Sequence, residues 1–87
     1  MYELCSQLRR ASTSIPMNIG EGYGRQSKLE LGRFIKTAIG SGNEMQVALN
    51  FSRDLGYIDE KLCEQLIERY NVLGKKLYNL GKSLTNN

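Results

Sequence analysis

Large apolar residues recur at Leu62, Leu66, Tyr70, Leu73, Leu77, Leu80 and Leu84, in steps of four, four, three, four, three and four. This is the spacing of one face of an α-helix, on a segment whose other positions are mostly polar. Such a stripe has to be covered by another apolar surface, and two further stripes lie upstream. Leu4, Leu8, Ala11, Ile15 and Ile19 predict a first helix over about 2–20; Leu31, Phe34, Ile35, Ala38, Met45, Leu49 and Ser52 predict a second over about 28–55. The leucine stripe is the third, over about 60–84. No segment alternates with the period of a strand, so the expected fold is all-α, three helices in one domain spanning 1–87.

Local chemistry punctuates these helices. Pro16 lies inside the first stripe and removes the hydrogen bond to Ser12, so the helix is expected to bend there and then stop in the run Gly20, Gly22, Gly24. Ser27 and Glu30 have the spacing of a capping box, Gly56 suits a left-handed cap after about Leu55, and Asp59 and Glu60 suit a helix N-terminus. Gly40 and Gly42 fall in mid-helix, where each costs roughly 1 kcal/mol against alanine, so they imply a close neighbour or a local break. Lys75, Lys76 and Lys82 complement the dipole at the end of the third helix, and Thr85, Asn86 and Asn87 are expected to fray.

Composition narrows the function. The 87 residues include no histidine and only two cysteines, Cys5 and Cys63, which argues against a disulfide framework, a transition-metal site or a histidine general base. Asp54, Asp59, Glu60, Glu64 and Glu68 read as caps and exposed helix positions, so no catalytic constellation, cofactor or metal is expected. The chain lacks an apolar run long enough to span a membrane or act as a signal segment, which points to a cytoplasmic protein. The net charge of +3 is unevenly spread, at +3 over residues 1–40, −3 over 41–70 and +3 over 71–87.

Two apolar groups fall outside the main stripes. Val47 and Phe51 project about 160° from the Leu31 and Leu49 direction, and Cys63, Ile67, Tyr70, Gly74 and Gly81 form a flank roughly 100–140° round from the leucines. They are either a wide core face or an oligomer interface, and the second is preferred because three helices cannot cover every face offered. Gln7, Arg10, Ser14, Asn18 and Glu21 align within about 80° of one another on the first helix. This polar row is either a binding seam or a satisfied network that orients helices, with the structural role placed first.

The basic residues of the first two helices, Arg9, Arg10, Arg25, Lys28, Arg33 and Lys36, form a candidate RNA- or DNA-binding surface, with Tyr23 available to stack on a base; the plain alternative is a solvated face. The run Gly20-Glu21-Gly22-Tyr23-Gly24-Arg25 invites comparison with phosphate-binding glycine loops. It has no preceding strand and no Gly-Lys-Ser ending, and is better read as a helix-to-helix turn.

The segment Gln7-Leu8-Arg9-Arg10-Ala11, then Ser14-Ile15-Pro16, Asn18-Ile19, Glu21-Gly22-Tyr23-Gly24-Arg25, Ser27-Lys28 and Asp54-Leu55-Gly56-Tyr57, resembles the four-helix-bundle family of 23S rRNA intervening-sequence proteins. The similarity extends over nearly the whole chain. Gly20 stands where the family typically has alanine, and the family's first helix, before the equivalent of Tyr2, has no counterpart. The resemblance implies an up-and-down antiparallel helical bundle, the three helices here corresponding to the last three of four, that assembles as a homo-oligomer, commonly a pentamer. Relatives include a basic ring, the accessory protein of diversity-generating retroelements, that binds nucleic acid and a reverse transcriptase. It also implies that Arg10, Ser14, Asn18, Glu21 and Arg25 are the family's polar positions. The family name records a genetic location and not a biochemical role. Without a first helix, the remaining stripes are expected to be partly uncovered, through association, a shortened chain or helix exchange with a second copy.

Overall fold

The computed structural model describes residues 2–85 as three helices, α1 (Tyr2–Gly24), α2 (Lys28–Asp54) and α3 (Glu60–Thr85). Thr85, expected to fray, is the last residue of α3, and the expected fraying of Asn86 and Asn87 lies outside the described residues. Antiparallel neighbours follow from the pairings: Ser14 meets Ser41 and Gly22 meets Leu31 across α1 and α2, while Gln46 meets Asn71 and Ile35 meets Gly81 across α2 and α3. Both connections are short, as antiparallel helical hairpins require.

The helix ends show why the chain breaks where it does. Ser27 is extended at φ −134°, ψ 130°, and its hydroxyl accepts the Glu30 N–H at 3.3 Å. The Glu30 carboxylate lies instead 3.4 Å from Arg33 Nη1, so the expected capping box is formed on one side. After α2, Tyr57 N–H bonds Ser52 O, Gly56 N–H bonds Arg53 O, and Gly56 takes φ +81°, the left-handed cap anticipated there. Asp59 Oδ1 accepts the Leu62 N–H at 2.7 Å and opens α3.

One expected boundary is wrong. α1 does not stop at Gly20 but continues unbroken past Pro16 to Gly24, where Gln26 reverses the chain at φ 55°. Packing overrides the weak local propensity: Gly22 is buried where α1 meets α2, and a Cβ there would lie 2.8 Å from Leu31 Cδ1 and 3.1 Å from Phe34 Cβ. α2 likewise runs unbroken through Gly40 and Gly42. A Cβ on Gly42 would just touch Ile15 Cδ1 at 4.0 Å, whereas one on Gly40 would meet open space.

Helix α2 is the centre of the molecule. It packs on both α1 and α3, and those two nowhere bring their Cα atoms within 8 Å of each other. The extents of 46 × 22 × 12 Å fit three helices at three corners of a square, with α2 at the angle. Ile15, Leu31, Ile35, Ala38 and Leu77 form the core inside that angle, with Ile19, Leu73, Leu80 and Leu84 packed against its margin. The fourth corner is open, which leaves the stripe of α3 unevenly covered: Leu77 is buried, Leu66, Leu73 and Leu80 are half-buried, and Leu62 is exposed.

Candidate nucleic-acid interface

The six cations singled out from sequence do not share one surface. Arg9 and Arg10 line a groove of about 520 Å³ along the outer edge of α1 and α2, together with Met17, Glu21 and Phe34. Glu21 gives this groove mixed charge. Arg25 is engaged locally: its Nη2 lies 3.0 Å from Glu21 Oε1, and its guanidinium sits 5.5 Å from the centre of the Phe34 ring. Tyr23 remains exposed at the end of α1.

Lys28, Arg33 and Lys36 turn the other way. Their spacing along α2 brings them to a groove of about 390 Å³ between the outer edges of α2 and α3, where Lys82 joins them from the opposite wall. Among the described residues no carboxylate lines it, although Arg33 is ion-paired with Glu30 at 3.4 Å. Leu29 and Tyr78 border the same groove, 67% and 62% exposed. Lys75 stands one turn before Tyr78 in the adjoining groove. Sequence reasoning missed Tyr78, Lys75 and Lys82 as a group because it assigned the lysines to the helix dipole alone. Their positions three and four residues either side of Tyr78 are those of helical neighbours, and that signal was legible.

The polar row of α1 resolves into parts. Asn18 Nδ2 donates to Ser14 O and Ser14 Oγ, each at 2.8 Å, and the Ser41 hydroxyl donates to Ser14 Oγ at 2.7 Å. This half-buried knot ties α1 to α2. Glu21 pairs with Arg25, while Gln7 and Arg10 are exposed beside Glu44 in a polar cleft.

The expected apolar flank also divides. Val47 and Phe51 are 53% and 58% exposed on the outer side of α2. Cys63 is not on an open flank: it is fully buried, its thiol 3.5 Å from Leu49 O, because α3 turns that edge toward α2. Tyr70 is half-buried against the core for the same reason, and Ile67 is half-buried between these extremes. At the end of α2, the Arg53 guanidinium is held above its ordinary pKa first by its hydrogen bond to Asp54 and then by that carboxylate's charge. Among the described residues, no group of three His, Cys, Asp or Glu side chains is placed to hold a metal ion, and no helix is long and apolar enough to cross a membrane.

The sequence profile of the 23S rRNA-intervening sequence protein family matches residues 1–79. The chain belongs to this family. No curated protein and no solved structure matches it. Within the matched range several polar and small residues have structural roles: Ser14 and Asn18 in the interhelical knot, Gly22 at the close approach, Ser27 at the cap.

Proposed function

We propose that this family member is a non-enzymatic, self-assembling helical protein that binds RNA or DNA electrostatically. The observation that carries the reading is the gathering of Lys28, Arg33, Lys36 and Lys82 round one groove with no carboxylate among its described lining residues. Such a cluster attracts phosphate and releases counterions when it binds. Assembly is supported by the half-covered leucine stripe of α3 and by Val47 and Phe51, since apolar area of this kind is normally covered by a partner. The partner proposed is a second copy, with the pentamer as the expected closed form.

Solution mass by light scattering, at low and high salt and with or without a short structured RNA, tests both parts. The expected result is a multimer at both salt concentrations that gains mass with RNA at low salt only. A 9.9 kDa monomer indifferent to RNA overturns the proposal. The second reading is a scaffold that binds another protein through Val47, Phe51 and Ile67, favoured by the exposure of that outer face. Phe51→Asp separates the two. It abolishes partner capture on the scaffold reading, whereas on the preferred reading it lowers the oligomer mass and leaves the charged groove intact.

A further inference from the structure

We infer that the groove between the outer edges of α2 and α3 is a site for single-stranded nucleic acid, with Tyr78 as its stacking platform and Lys28, Lys36 and Lys82 as its phosphate-binding groups. This rests on the nucleic-acid reading above and narrows it to one face and one form of ligand.

Shape is the first argument. Gly32 and Gly81 face the groove without side chains; a Cβ on Gly32 would meet nothing within 4 Å, and one on Gly81 would rest 3.5 Å from Ile35 Cγ2. The floor at Gly81 is therefore in ordinary packing distance of Ile35, and the groove is open at Gly32. The result is a crevice of about 390 Å³ with room for a flat ring between its walls.

Chemistry is the second. The walls are apolar at Leu29, Ile39 and Leu77, the rims are cationic, and Tyr78 stands largely in solvent beside both. A duplex presents phosphates outward and keeps its bases stacked inside, so it meets the rims and leaves Leu29 and Tyr78 uncovered. A single strand uses both features, with phosphates on the lysines and a base on the tyrosine. Lys28 and Lys36 are eight residues apart, about 12 Å along the helix axis, a reach suited to a few nucleotides. With these three lysines on phosphate, binding to a single strand falls with a log–log salt slope of about −2.1, a loss of about 18-fold between 50 and 200 mM salt.

The experiment is fluorescence anisotropy on the full chain with a labelled single-stranded oligouridine of about 12 nucleotides and an RNA duplex of the same length. The expected result is tighter binding of the single strand, with that salt dependence. Tyr78→Ala weakens single-strand binding about 5- to 150-fold, the equivalent of one stacked base, and Tyr78→Phe restores it. The double substitution Lys28→Glu, Lys36→Glu abolishes binding, while Arg9→Ala in the opposite groove leaves it within about twofold of the unsubstituted chain. Thermal unfolding of Tyr78→Ala should match the parent, because the side chain is exposed.

Each contrary pattern is decisive. Equal binding of both forms, insensitive to Tyr78→Ala but abolished by substituting Arg9 and Arg10, leaves the nucleic-acid reading standing and overturns the groove assignment. Binding of neither form overturns both. Tyr78-dependent binding of an acidic amphipathic peptide, with no binding of the single strand, makes the groove a protein site and also overturns the inference.

Discussion

Gly22 gives the sharpest test of how α1 is seated, because the same substitution at Gly22 and at two open glycines should move stability in opposite directions. Replacing a mid-helix glycine by alanine gains roughly 0.5–1 kcal/mol where there is room, mainly by restricting the unfolded chain. Gly20 and Gly40 have open space where a Cβ would stand, with nothing within 4 Å, so Gly20→Ala and Gly40→Ala should each give that gain. At Gly22 the new methyl meets Leu31 Cδ1 at 2.8 Å, Phe34 Cβ at 3.1 Å and Leu31 Cα at 3.2 Å. The Leu31 methyl can rotate away; the other two atoms are fixed to the α2 backbone, so α1 itself must lift by a few tenths of an ångström. Overpacking of this kind costs roughly 1–3 kcal/mol. The propensity gain is common to all three variants and cancels in the comparison. Gly22→Ala should therefore lie about 1–3 kcal/mol below Gly20→Ala, a gap of roughly 4–24 °C in Tm for a domain of this size. Far-UV circular dichroism during thermal unfolding, at one protein concentration for all variants, measures the gap. A Gly22→Ala chain that melts with Gly20→Ala, or above it, refutes the close approach of α1 to α2 and the account of why α1 runs past Gly20.

Two further outcomes concern the core and the turns. Ile35 is 1% exposed at the centre of the core, so Ile35→Ala should cost about 2–5 kcal/mol, a large share of the stability of a small domain, measurable by urea unfolding with an unchanged m-value. Gln26 and Gly56 both occupy left-handed backbone, at φ 55° and 81°. Gln26→Gly should raise Tm by a few degrees, as relief of about 1–2 kcal/mol of steric cost exceeds the entropy of the new glycine, and Gly56→Ala should lower stability by about 1–2 kcal/mol; the same melting experiment checks both signs.

Much of the helix inventory was legible from the sequence. The leucine period set α3, Ser27 and Asp59 marked two helix starts, and Gly56 marked an end, because each signal acts between residues a few positions apart on one chain segment. The end of α1 was misjudged on the same local grounds. Three glycines within five residues argue for a stop, and only the close approach of Gly22 to Leu31 and Phe34 shows why the helix continues.

The candidate site was less legible. Six cations counted together along the chain separate into a mixed-charge groove holding Arg9 and Arg10, an ion pair holding Arg25, and a groove without described carboxylates holding Lys28, Arg33 and Lys36. Which groove each enters depends on the rotation of α2 between its two neighbours. The same rotation leaves Phe51 in solvent, while the rotation of α3 buries Cys63. The sequence alone determined three amphipathic helices, their caps and their family motifs, since periodicity and capping are properties of neighbouring residues. Only the tertiary structure decided that α1 and α3 stay apart, that one corner of the square stays open, and that Tyr78 and Lys82 stand across from Lys28 and Lys36, since these follow from how whole helices are set against one another.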